Sequence, residues 1–69
     1  MRLSARNKLP GVVTAIEQEG LTAKVSMRIG DNWLVAVVTS EAVKELELKV
    51  GDAVTAVIKS TSVMLAKDI

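Results

Sequence analysis

From Leu21 onward the chain alternates between apolar and polar residues. In LTAKVSMRI, Leu21, Ala23, Val25, Met27 and Ile29 fall on one face; Thr22, Lys24, Ser26 and Arg28 fall on the other. A period of two marks a half-buried strand, apolar face in and polar face out. Just upstream, GVVTAIEQEG reads as another strand, opened by Val12 and Val13. It closes in a turn where Gly20 is free to take a positive φ. Together the two segments predict a hairpin.

Gly30, Asp31 and Asn32 form the next turn. After it, WLVAVVT is apolar at every position from Trp33 to Val38. In AVTAVIKSTSVMLA, Val54, Val57, Ile58, Val63, Met64 and Leu65 likewise fill both faces. A strand apolar on both faces needs cover on both, and a chain of 69 residues has few elements to supply it. These strands predict an oligomer that buries sheet surface, with a covering helix as the alternative.

The helical candidate is TSEAVKELELKVGD. Thr39 or Ser40 suits the N-cap, Glu41 the first turn, and Ala42, Val43 and Leu46 share a face. Neither cap choice puts Glu or Gln at the third helical position, so no full capping box forms. The helix ends before Gly51. The order strand, strand, strand, short helix, strand, strand predicts an all-β fold. Its form is a five-stranded OB-type barrel with one short helix between strands 3 and 4, built as a single domain over residues 1–69. Closure would also remove the open edges that invite aggregation.

Composition narrows the chemistry. Without cysteine there is no disulfide, thiolate metal site or thiol nucleophile. Without histidine, the commonest metal ligand and usual general base are missing. No paired carboxylates stand on an apolar background, so the expectation is not an enzyme. A net charge of +1 gathers no polyanion. One Trp with no Phe or Tyr offers little for base stacking, which argues against a nucleic-acid partner. No apolar run approaches the ~20 residues of a membrane span, and no signal-peptide pattern opens the chain. A soluble, cytoplasmic protein without a membrane partner is expected.

Three polar clusters interrupt the apolar strands: Ser4, Arg6 and Asn7; Thr39, Ser40 and Glu41; and Lys59, Ser60, Thr61 and Ser62. They combine hydroxyls, cations and a helix start, with no general base among them. A helix start presents unpaired N–H groups, and Arg or Lys balances charge. An oxyanion without a proton accepts hydrogen bonds on every oxygen, so a pocket made of donors suits it. Each cluster also has a plain structural use: satisfying backbone at strand entry, capping the helix, or forming a solvated turn.

Three stretches carry a resemblance to a known family. SARNKLPG resembles the opening signature of the molbindin, or Mop, family; VVTSEAVKELELKVGD resembles its helix and following turn; TAVIKSTSVMLA resembles its closing Lys-Ser-Thr segment with an apolar tail. The resemblance runs from Leu3 to about Ala66. It implies an OB-type fold assembled as a hexamer, a trimer of dimers. It implies binding of molybdate, and usually tungstate, at subunit interfaces for intracellular storage or buffering. The metal would enter only as its oxyanion, with no organic cofactor. Carried onto this chain, the implied contacts are Ser4 and Arg6, the latter mainly through its backbone N–H; Thr39, Ser40 and the amides of Ala42 and Val43; and Lys59 and Ser60. Many relatives carry a hydroxyl residue where Ala42 stands, so here its backbone N–H or Ser40 must serve.

Three rival readings remain at this point. One is a nucleic-acid-binding OB module, another a structural oligomer without a ligand. The third is a molybdenum-cofactor carrier, whose pterin would find a stacking wall only in Trp33. That residue is better suited to core or interface packing.

Overall fold

The computed structural model describes residues 6–68. Four strands and one short helix follow in chain order: β1 (Asn7–Glu19), β2 (Thr22–Ile29), β3 (Asn32–Thr39), α1 (Ser40–Glu45) and β4 (Ala53–Ile58). A 3₁₀ turn, Ser60–Ser62, follows β4. The strands form one antiparallel sheet in the order β3-β2-β1-β4. The sheet curls, so that its two outermost strands, β3 and β4, line opposite walls of one apolar groove.

β1 is shared between two partners. Its first half pairs with β4, from Asn7↔Ile58 to Val12↔Ala53, and its second half pairs with β2, down to Glu19↔Thr22. The change falls at a bulge between Val13 and Ala15. Val13 opposes Met27 on the inner face, Ala15 opposes Ser26 on the outer, and Ile16 faces Val25 on the inner face again. The extra residue, Thr14, donates its hydroxyl to Ser26 O at 3.2 Å. A bulge bends a strand and tightens its twist, which is what a curled sheet requires. The loop before β4 occupies the backbone of Val13: its N–H donates to Asp52 O at 2.9 Å, and its carbonyl accepts from Gly51 N–H at 2.8 Å.

The expected hairpin is present, with Gly20 at φ 60 in its turn, and Gly30 at φ 59 makes the next. Ala23, Val25 and Met27 are buried. Leu21, expected beside them, is instead exposed: it lies in the turn, outside β2, where its carbonyl accepts from Ser40 N–H at 2.9 Å. The two-faced reading of β3 also holds. Leu34, Ala36 and Val38 face the groove, while Trp33, Val35 and Val37 lie open on the outer surface.

The fifth strand is not formed among the described residues. Residues 63–68 follow the 3₁₀ turn with no sheet partner, and Met64 and Leu65 are 92% and 95% exposed. The barrel is therefore a half-barrel. A strand needs an edge to pair with, and residues 63–68 pair with neither free edge of their own sheet. The core is correspondingly small: Val13, Ala23, Val25 and Val43 form its buried cluster, with Ile16, Val38, Leu48 and Val54 packed around it.

Gly11 marks the tightest backbone approach in the sheet. A Cβ there would lie 2.5 Å from the backbone oxygen of Arg28, with the side chains of Ile29 and Met27 both at 2.9 Å. A carbonyl in a strand ladder has little room to move. Gly11→Ala is expected to destabilise the fold by about 1–3 kcal/mol, read as a lowered urea midpoint.

Candidate functional site

The register of β1 and β4 assembles two of the three polar clusters. Asn7 sits opposite Ile58, and its side-chain amide donates to Ile58 O at 3.3 Å. One step beyond that pair, Arg6 precedes β1 and Lys59 follows β4, so antiparallel pairing places the two cations side by side. Arg6, Lys59, Ser60 and Thr61 line one shallow cavity of about 330 Å³. No carboxylate lines it. The one salt bridge among the described residues joins Arg28 to Asp31 at 3.8 Å, on another part of the sheet. Arg6 and Lys59 therefore stand together without a counter-charge among the described residues. The 3₁₀ turn is closed by Ser62 N–H donating to Lys59 O at 2.9 Å. Lys59 is the residue before that turn and lines the cavity. Ser4 lies outside the described residues.

The second cluster is at the helix start, and most of its donors are already engaged. Thr39 is the N-cap, and its hydroxyl oxygen accepts from Ala42 N–H at 3.0 Å. The Ser40 hydroxyl reaches two carbonyl oxygens, Gly20 at 2.9 Å and Thr22 at 3.2 Å. Ser40 N–H donates to Leu21 O. Val43, buried in the core, is the first residue whose N–H joins the helical ladder to the N-cap carbonyl. The Glu41 N–H and the Thr39 hydroxyl hydrogen are what this end still offers a ligand. The Glu41 amide was not foreseen from sequence. Counting positions from a Thr39 cap would have shown it, because the cap side chain serves the third helical N–H and leaves the second free.

Within one chain these two ends do not meet. Thr39 pairs with Thr22, which pairs with Glu19 at the end of β1; Arg6 and Lys59 flank its beginning. The thirteen residues of β1 lie between them along the sheet, and no helix-start residue lines the cavity of Arg6, Lys59, Ser60 and Thr61. Each copy thus offers a cationic, hydroxyl-bearing end and a helix-start end.

Two other concave features are present. The inner groove, about 440 Å³, is lined almost wholly by aliphatic side chains from β3, β4 and the loop after α1, Thr55 being its polar member. A third cavity, on the outer face, is lined by Glu17, Glu19, Thr22, Lys24 and Val37, where the two carboxylates oppose an anion. Nearby, the Arg28 guanidinium lies 5.9 Å from the Trp33 ring centroid. Among the described residues there is no grouping of carboxylates suited to a metal ion, and no helix is long and apolar enough to cross a membrane.

A model of the TOBE domain matches residues 3–65. A probable molybdenum-pterin-binding protein of Haemophilus influenzae is 48% identical over 66 residues, covering 94% of this chain and 96% of that protein. Among solved structures, a molybdate-binding protein from Sporomusa ovata superposes with a TM-score of 0.94 at 39% identity, over 97% of this chain and 100% of that one. The molybdate-bound form of the cytoplasmic molybdate-binding protein ModG matches with a TM-score of 0.82 at 44% identity, over 87% of this chain and 43% of that one.

The cap at Thr39 can be checked by itself. Thr39→Ala is expected to cost about 1 kcal/mol in unfolding free energy, whereas Thr39→Ser, which keeps the accepting oxygen, stays within a few tenths. Chemical denaturation of the three proteins measures both.

Proposed function

Because the chain belongs to the molbindin (Mop) family of TOBE-domain proteins, we propose that it binds molybdate, and tungstate with it, at interfaces between copies of itself. One observation carries the reading. The pairing of β1 with β4 sets Arg6 and Lys59 beside the hydroxyls of Ser60 and Thr61, in a cavity with no carboxylate. Two neighbouring cations repel each other unless an anion lies between them. Hydroxyls and backbone amides supply the neutral donors that replace its water. Ser4 belongs to the same segment as Arg6 and is assigned to the same contact.

The interface follows from the separation of the two ends. The Thr39 hydroxyl and the free Glu41 N–H stand at the opposite end of β1 from Lys59, while the N–H groups of Ser40, Ala42 and Val43, expected as contacts, are engaged within the chain. A site that uses both ends takes one from each of two copies. We assign the assembly as a homo-hexamer, a trimer of dimers, with residues 1–69 of each copy acting as a single binding domain. Its role is storage or buffering of molybdenum, in the cytoplasm as for ModG.

Binding fits these residues better than turnover, since the cavity holds donors and no proton acceptor of the carboxylate or imidazole kind. A pterin is a poorer fit. Its ring needs hydrogen-bonding partners along an apolar slot, and Thr55 is the groove's one polar side chain. Nucleic acid is poorer still, because a single aromatic, Trp33, offers little for base stacking.

Selectivity then rests on size and protonation. Sulfate shares the charge and shape of molybdate but is smaller, so donors spaced for molybdate hold it with longer, weaker bonds. Phosphate near neutral pH keeps a proton that meets a donor. Isothermal titration is expected to show molybdate and tungstate binding well above sulfate and phosphate; equal affinities across the four would reject the reading. Lys59→Ala should weaken molybdate about tenfold or more while leaving the circular dichroism unchanged.

A further inference from the structure

The ladder between β1 and β4 ends at the pair Asn7↔Ile58. Asn7 is half-buried, and its side-chain amide donates to Ile58 O at 3.3 Å. That carbonyl belongs to the peptide unit joining Ile58 to Lys59, while the Asn7 backbone N–H belongs to the unit joining it to Arg6. One side-chain hydrogen bond thus spans the two peptide units from which the cations depart. Asn7 does not line the cationic cavity, whose walls are Arg6, Lys59, Ser60 and Thr61. It stands behind the site rather than in it. The place is prone to opening. No pair of this ladder lies beyond it, chain segments at the end of a ladder fray most readily, and two like charges one step further push the strand ends apart.

We propose that Asn7 is a positioning residue of the anion site: its amide ties the Arg6 end of β1 to the Lys59 end of β4 and so fixes the spacing of the two cations before an ion arrives. The inference deepens the reading of Arg6 and Lys59 as anion contacts and rests on it. Cations held at a set spacing favour a tetrahedral dianion of one size. Cations free to adjust close on a smaller ion as well, and size is what separates molybdate from sulfate. The chemistry of the amide suits this task. It donates without carrying charge, so the counter-charge of the two cations is left to the ligand. A carboxylate of the same shape has no proton to give Ile58 O, and its charge would stand beside Arg6 and Lys59 in the ligand's stead.

Asn7→Ala removes the tie, and a net hydrogen bond of this kind is worth about twofold to tenfold in an equilibrium. Calorimetric titration with molybdate, and with sulfate by displacement of bound molybdate, is expected to show the molybdate-to-sulfate affinity ratio falling by about threefold or more. An unchanged or higher ratio overturns the proposal even where both affinities fall, because a residue that only supports the fold weakens both ions alike. Asn7→Asp, which keeps the shape of the side chain, should lower the ratio too and bind molybdate more weakly than Asn7→Ala at neutral pH; equal or tighter binding overturns the proposal. Circular dichroism checks the strand content of both variants. A measurement without any anion tests the tie directly. Ser62 N–H donates to Lys59 O, and Val13 N–H, in mid-strand, donates to Asp52 O. In Asn7→Ala the Ser62 amide should exchange its hydrogen about threefold or more faster by NMR, with the Val13 amide unchanged; no change at Ser62, or the same change at both, overturns the proposal. Equal affinities for the two ions in the unaltered protein reject the anion reading and this inference with it. A molybdate preference that survives Asn7→Ala rejects the role of Asn7 alone.

Discussion

Bending of β1 at Thr14 decides which parts of this chain meet. A straight strand paired along one edge with β2 and along the other with β4 would build a flat sheet. With an apolar side and no cover, such a sheet is not stable at this size. The bulge resets the inward parity from Val13 to Ile16, so the strand turns while keeping its apolar side inward. That turn brings β4 onto the first half of β1, and the loop residues Gly51 and Asp52 satisfy the backbone of Val13. Arg6 and Lys59 become neighbours as a consequence of this pairing and of nothing else in their local sequence.

Much of this was legible in the residues. The strict alternation from Ala23 to Met27 named the inner face of β2, and the continuous apolar run of β3 announced a strand with two faces to cover. The cap and its lack of a box were readable from Thr39 and Ala42. The bulge was not, because VVTAIE has no glycine or break in hydrophobicity to announce it; its cause is the demand of two partners on one strand. Leu21 shows the opposite limit. It continues the alternation by one step, but turn geometry at Gly20 takes it out of the ladder. Four of the five expected strands form among the described residues, since apolar composition marks a segment suited to an edge without saying which edge it meets. At the site, the clusters themselves were visible. Their distribution over the two ends of β1 needed the register.

The small core explains why so much apolar surface stays outside. A chain of this length buries only about 60% of its unfolded-state surface, and domains of this size without disulfide or metal commonly lean on association. Here the outer stripe of Trp33, Val35 and Val37, the inner groove and the tail are all left over after one copy has folded. Burial of such surface would contribute roughly 25 cal/mol per Å².

Chain connectivity ties the cationic cavity to the segment that follows it. Lys59, Ser60 and Thr61 line the cationic cavity, and the same residues form the turn from which the tail departs. A lysine or arginine side chain that is fixed in place gives up as much as ~2 kcal/mol of rotamer freedom. An anion in the cavity and a partner for residues 63–68 would each meet part of this cost, and two events that share one ordering cost favour each other by the same factor.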